Sequence, residues 1–180
     1  MNDAEFRAKL QALDGIRRSI EFIGLGPTQY FIEDEHKQDR LEKLEKDFIT
    51  IFSDLEKACR GFPANYKNLV ETYRPFYSNI IEKIEIRGPI LSELNRLKNK
   101  IKAAIAKISG FPQPKALAVV KEMNVDLYNE VMNFEKKFLI PLTEKINDFI
   151  EKYANVLRPS DIDFLKKSSG MFTNYIAAYE

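Results

Sequence analysis

Apolar side chains recur along this chain in steps of three and four residues, the spacing that lines one face of an α-helix. Positions 6, 10, 13, 16, 20 and 23 set out a first helix. Residues 33–40 carry no apolar side chain, which predicts a solvated loop or the exposed first turns of a helix. From Leu41 the positions 41, 44, 48, 51, 52, 55, 58 and 59 mark a second helix that stops at Gly61. A third follows Pro63 and places Tyr66, Leu69, Val70, Tyr73, Phe76, Tyr77, Ile80, Ile81 and Ile84 on one face. Pro75 lies inside it; a proline there removes one hydrogen bond and meets the carbonyl of Glu71, so a kink or break is expected.

A fourth helix is expected after Gly88 and Pro89, with apolar positions 90, 94, 97, 101, 104, 105 and 108, ending at Gly110. The longest periodic stretch, residues 115–157, would measure on the order of 60 Å as one helix. A compact chain of this size has a radius of gyration near roughly 16 Å, so Pro141 is expected to kink or divide it. A last helix is expected from Ser160, with Ser160 as N-cap, Asp163 three residues on, and Gly170 weakening its middle.

The junctions carry the same punctuation: Gly26 with Pro27, Gly61 with Pro63, Gly88 with Pro89, Gly110 with Pro112, and Pro159 before Ser160. Glycine ends a helix in the left-handed region and proline pre-sets the first turn of the next. No segment alternates with period two over strand length, so no strand is expected. The expectation is an all-α fold: a single domain over residues 1–180, built as an antiparallel up-and-down bundle of about five to six helices with kinks at Pro75 and Pro141.

Composition narrows the class. At 180 residues the chain can bury a core without metals or disulfides. Its 28 basic and 27 acidic residues leave a net charge of +1, which argues against binding nucleic acid through overall charge. Cys59 is the single cysteine, so no intrachain disulfide forms and a reducing compartment is favoured. Met1, Asn2, Asp3, Ala4 and Glu5 carry acids where a signal peptide carries bases, so export by that route is not expected and a cytoplasmic location is. The longest apolar runs, 116–120 and 138–142, fall far short of the roughly 20 residues that span a bilayer.

The usual catalytic constellations are missing from the sequence. His36 is the one histidine and lies in a polar run, whereas Cys59 lies beside Ala58 on an apolar face; one helix holding both would separate them by about six turns. Glu33 and His36 have the spacing of a di-iron bundle motif, but that chemistry needs a second histidine. Gly24, Leu25, Gly26 and Pro27 follow a helix instead of a strand and precede no Gly-Lys-Ser or Gly-Lys-Thr, so they read as a turn. No catalytic residue, cofactor or metal is therefore expected.

Local charge is more informative. Residues 87–115 hold seven bases (Arg87, Arg96, Lys98, Lys100, Lys102, Lys107 and Lys115) against Glu93 alone, a local +6 (seven minus one), while residues 29–60 hold nine acids against six bases. On a helical wheel Arg96, Lys100 and Lys107 flank one side of the apolar stripe, with Lys98 and Lys102 on the other. Lysine stems can cover the edges of a core-facing helix, and the same rim can grip an anionic partner. Arg87, Arg96, Lys98, Lys100, Lys102 and Lys107 are the candidate anion-binding residues. Met171, Phe172, Tyr175, Ile176 and Tyr179, on the last helix, are the candidate protein interface.

These features predict a non-enzymatic helical protein that acts through protein-protein contacts as a small subunit, adaptor or regulator, or that self-associates. Two alternatives carry their own features. A nucleic-acid-associated subunit would use the basic stretch 87–115; tyrosines can stack on bases, but Tyr66, Tyr73 and Tyr77 lie on the apolar face of the third helix and read as core. A ligand-sensing bundle would use a cavity opened by Pro75 and Pro141 and lined by Tyr73, Tyr77 and Phe138.

Overall fold

A computed structural model describes residues 1–26 and 29–178. Pro27 and Tyr179 lie outside the described residues, and with them the Gly26–Pro27 junction and the last candidate of the terminal helix. The chain is all-α, and no strand occurs among the described residues.

Helix α1 (Asp3–Ile23) opens on a capping box: the Asn2 side chain accepts from the Glu5 N–H at 2.8 Å and the Glu5 carboxylate accepts from the Asn2 N–H at 3.0 Å. Gly24, at φ 73°, closes it in the left-handed region. Helix α2 (Glu35–Ala58) is capped by Asp34, whose carboxylate accepts from the N–H groups of His36 and Lys37. Those bonds hold the Asp34 carboxyl below the ordinary carboxylate range, Lys37 contributing most. The polar run 33–40 thus holds the cap and the first turns of α2, exposed except at Gln38, which is buried.

Helix α3 (Ala64–Glu71) stops short of α4 (Arg74–Ser109). Pro75 breaks the predicted third helix instead of kinking it, because it sits in the first turn of α4, where its missing N–H is not needed. Gly88 and Pro89, expected to end one helix and begin another, lie inside α4, which runs through them. Both residues are exposed, while Ile80, Arg87, Ile90, Leu94, Leu97, Ile101 and Ala104 are buried in helical phase. An interior proline costs about 3 kcal/mol, and burying Ile90 and Leu94 at about 1.5–3 kcal/mol each offsets it.

The stretch 115–157 divides at a place the hydrophobic pattern hides. Asn124 separates α5 (Leu117–Met123) from α6 (Val125–Phe134), its side chain accepting from the Leu127 N–H at 3.1 Å. Beyond α6 the helix widens into a π-turn (Glu135–Leu139), where the Ile140 N–H reaches back five residues to the Glu135 carbonyl, and then continues as α7 (Ile140–Tyr153). Pro141 therefore follows a wide turn, which makes room for its ring beside the Lys137 carbonyl. Helix α8 (Pro159–Ala178) starts one residue before the predicted Ser160 cap, with Pro159 in its first turn, and runs unbroken through Gly170.

The chain packs as two compact units, Met1–Pro89 and Ile90–Glu180. In the first, Phe6 and Leu13 of α1, Phe48, Phe52 and Leu55 of α2, Val70 of α3 and Ile80 of α4 form the core. Ring contacts tie these elements together, with Phe52 stacked on Tyr77 at 4.3 Å between centroids and Phe48 edge-on to Phe76 at 5.1 Å. Around this core a polar network holds Gly26, Tyr30 and Ile32. Arg87 and Glu45 are buried and paired at 2.7 Å, and the Arg87 Nε donates to the Tyr30 carbonyl at 2.5 Å. Lys83 donates to the Gly26 carbonyl at 3.1 Å, and the buried Gln38 accepts from the Ile32 N–H at 2.6 Å.

In the second unit the buried side chains include Leu94, Leu97, Ile101 and Ala104 of α4, Val131 of α6, Leu139 of the π-turn, Leu142, Ile146 and Phe149 of α7, and Leu165 and Phe172 of α8. Its buried polar anchor is Asp161, which accepts from Lys98 at 2.6 Å and from Arg158 at 3.1 Å.

Candidate functional site

The six candidate cations separate into two groups by what they touch. Arg87, Lys98 and Lys107 have acidic partners: Arg87 is buried on Glu45, Lys98 reaches the buried Asp161, and Lys107 pairs with Glu130 at 3.1 Å while lying 5.8 Å from the Phe111 ring centroid. Arg96, Lys100 and Lys102 are exposed, and among the described residues none of them forms an ion pair. The structure thus places half of the predicted basic face in ion pairs and leaves the other half without one among the described residues.

Two of the free cations face residues that lie far away in the sequence. Arg96 and Lys100 of α4 meet Lys145 and Lys152 of α7 across an open cleft of about 380 Å³, with Leu97 and Phe149 lining it and Glu93 and Asp148 as its acids. Four bases minus two acids leave the lining at +2. Arg96 and Lys100 are four residues apart and Lys145 and Lys152 seven apart, so each helix turns its pair to one face. The Lys100 and Lys145 side chains come together across the cleft, and the charge of Lys145 is the main cause holding the Lys100 ammonium below the ordinary lysine range. Lys152 leans instead on the Tyr153 ring, 5.1 Å from its centroid.

Lys145 and Lys152 were not among the sequence candidates. A charge count along the chain finds only clusters contiguous in sequence, and these two lie in a balanced segment beside Glu144, Asp148 and Glu151. Their seven-residue spacing on a helix with a clear apolar face was the available signal.

The terminal-helix candidates are split as well. Phe172 is fully buried, Tyr175 and Ile176 are half-buried, and Met171 is exposed. The buried face of α8 is Asp161, Leu165, Ser168, Ser169 and Phe172, so the aromatic residue nearest the middle of the helix serves the core. The larger apolar exposure lies at the elbow between α5 and α6. Val119 and Val125 are each 55% exposed and Met123 is 81% exposed. Val119 and Met123, four residues apart on α5, share a face, and Val125 opens α6 directly after them.

His36 and Cys59 sit at opposite ends of α2, roughly 35 Å apart at 1.5 Å per residue, so they form no nucleophilic pair. Burial, with Glu71 and Glu56 nearby, pushes the Cys59 thiol up, away from the reactive thiolate. No cluster of three or more His, Cys, Asp or Glu able to hold a metal ion occurs among the described residues. Tyr73 lines an open groove in the first unit with Phe6, Arg7, Asp14, Tyr66 and Leu69, whereas Tyr77 stacks on Phe52 and Phe138 stacks on Phe134. No helix is long and apolar enough to cross a membrane among the described residues. No family model, curated protein or solved structure matches the chain.

Proposed function

We propose that this chain is a non-enzymatic helical protein that works through contact with another protein, as a small cytoplasmic subunit, adaptor or regulator. The observation that carries this reading is the apolar elbow of α5 and α6. Val119, Met123 and Val125 crowd their side chains into water within seven residues, although the same helices bury Leu117 and Val131. Isolated exposed apolar residues are ordinary, but three together on one elbow mark a contact surface. Helix order within the first unit is read as up-and-down. Lys9 of α1 meets Asp54 near the end of α2, and Glu56 of α2 meets Arg74 at the start of α4, as antiparallel neighbours would.

The test is affinity purification of the tagged chain from its native host, with and without nuclease, beside the Val119→Asp and Met123→Asp variants. A stoichiometric protein that survives nuclease and is lost from both variants supports the reading, provided circular dichroism shows them folded. Retention of the same partner by both folded variants refutes the elbow as the contact.

A second reading, a nucleic-acid-associated subunit, draws on the free cations Arg96, Lys100 and Lys102. Nuclease-sensitive partners, together with salt-dependent RNA or DNA binding abolished by reversing Lys100 and Lys102 to Glu, would favour it over the first.

A further inference from the structure

The geometry points to the cleft between α4 and α7 as the seat of a phosphate group, held between the ammonium groups of Lys100 and Lys145 and flanked by Arg96 and Lys152. This stands apart from the partner reading, because the cleft and the α5–α6 elbow share no residue.

Helix α4 shows what this fold does with a lysine whose charge it balances internally. Lys98 has Asp161 and Lys107 has Glu130. Lys100 has instead another lysine, brought from a helix some 45 positions along the chain, and among the described residues neither of the two forms an ion pair. Both stems are long and exposed, so each could turn its charge into water; the convergence is a feature of the cleft and not something the fold requires. A dianion seated between them would turn a repulsion into two charge-assisted hydrogen bonds, and Arg96 adds a planar donor fork suited to phosphate oxygens.

The same lining limits what fits. Glu93 and Asp148 hold the net charge at +2, which matches one phosphate dianion and leaves no excess charge to neutralise a longer run of them. Leu97 and Phe149 give the cleft an apolar side against which the remainder of a phosphate ester can lie, and a volume of about 380 Å³ admits a small one. A soluble phosphate monoester and the headgroup of an anionic lipid share this chemistry.

The experiment titrates inorganic phosphate and pyrophosphate into the full chain at low salt while NMR follows the lysine side-chain amines. In parallel, the chain is sedimented with phosphatidylcholine vesicles with and without phosphatidic acid. The Lys100 and Lys145 signals are expected to move together and to saturate. Lys100→Gln and Lys145→Gln should each weaken binding about tenfold, as expected for the loss of one hydrogen bond to a charged group. Lys102→Gln, on the same helix outside the cleft, should bind as the parent does. Vesicle binding that needs phosphatidic acid and both lysines assigns the site to a lipid headgroup, and saturable binding of free phosphate alone assigns it to a soluble ester. Lys100→Glu, which can pair with Lys145 in the anion's place, should abolish binding without lowering Tm. Equal shifts at every exposed lysine, unchanged affinity in the Gln variants, or no response to either probe overturns the proposal.

Discussion

Replacing Arg87 by Met strands a carboxylate, and the size and pH dependence of the damage follow from the geometry around it. Glu45 is buried and takes its ion pair from Arg87 at 2.7 Å, with a second, longer contact at 3.5 Å. Removing one member of a buried pair costs about 3–5 kcal/mol because the other charge is left uncompensated. Arg87→Met also frees the Tyr30 carbonyl from its 2.5 Å bond, a further loss of about 1–3 kcal/mol that does not titrate. Burial already pushes the Glu45 carboxyl above the ordinary carboxylate range, and Arg87 is the chief influence pulling it back. Without Arg87 that rise grows. A carboxyl whose folded pKa exceeds its unfolded one takes up its proton first in the folded state, so its penalty is largest above the folded pKa and shrinks as pH falls toward the ordinary value. The deficit of Arg87→Met should therefore be several kcal/mol at pH 7.5 and should fall by up to about 1.4 kcal/mol per pH unit below the variant's Glu45 pKa. Glu45→Met combined with Arg87→Met removes both charges and should recover most of the loss, leaving the Tyr30 contribution. Urea unfolding by circular dichroism, with pulsed thiol labelling of Cys59 as the reporter for the first unit, compares the parent and both variants at pH 7.5 and at an acidic pH below the variant's Glu45 pKa. A deficit below about 1 kcal/mol, a deficit that does not change with pH, or a double variant no better than Arg87→Met would refute the reasoning.

Two further expectations follow from other parts of the molecule. Pro89→Ala restores an N–H donor to the Glu85 carbonyl within α4 and should raise stability by up to about 3 kcal/mol, read as a higher Tm; a lower Tm would mean that the exposed proline supports a contact. Asp161→Asn weakens the bonds from Lys98 and Arg158 and should cost about 2–3 kcal/mol in urea unfolding, whereas a neutral effect would remove Asp161 as the anchor of the second unit.

Where the hydrophobic pattern was regular, the helices it predicted are present; α1, α2 and α8 begin or end within a few residues of the expected places. Phe6, Leu13, Phe48 and Leu55 were readable as core because each recurs in helical phase with the next. What escaped was the polar residue in phase. Glu45 follows Leu41 by four and precedes Phe48 by three, Arg87 sits three before Ile90, and Asp161 sits four before Leu165, so each occupies a core position under a charged name. Reading only apolar letters treated Arg87 as part of the surface basic face and Phe172 as part of a surface strip. Helix punctuation failed for a related reason. Gly88 and Pro89 would end an isolated helix, but the stripe on either side keeps its phase and burial outweighs one missing bond. Asn124, by contrast, divides a continuous apolar pattern by supplying a local acceptor that caps a new helix. The cleft was half legible: Arg96 and Lys100 announce themselves within a single segment, while Lys145 and Lys152 become their neighbours only through tertiary packing.

The π-turn before Pro141 also makes the chain's length at this point a matter of consequence. A widened turn amounts to one residue more than a regular helix would hold over the same span, and the buried positions Val131, Glu135, Leu139, Leu142 and Ile146 run through it in steps of four, four, three and four. Deleting one residue from 135–139 would tighten the turn and press the carbonyl four residues before the proline against its ring; replacing Pro141 alone would leave a wide turn with no ring to accommodate. The two features are one allele in effect: a shortened helix should be tolerated only where the proline is lost with it, which makes single-codon deletions across this segment a sensitive genetic readout of how α6 and α7 are joined.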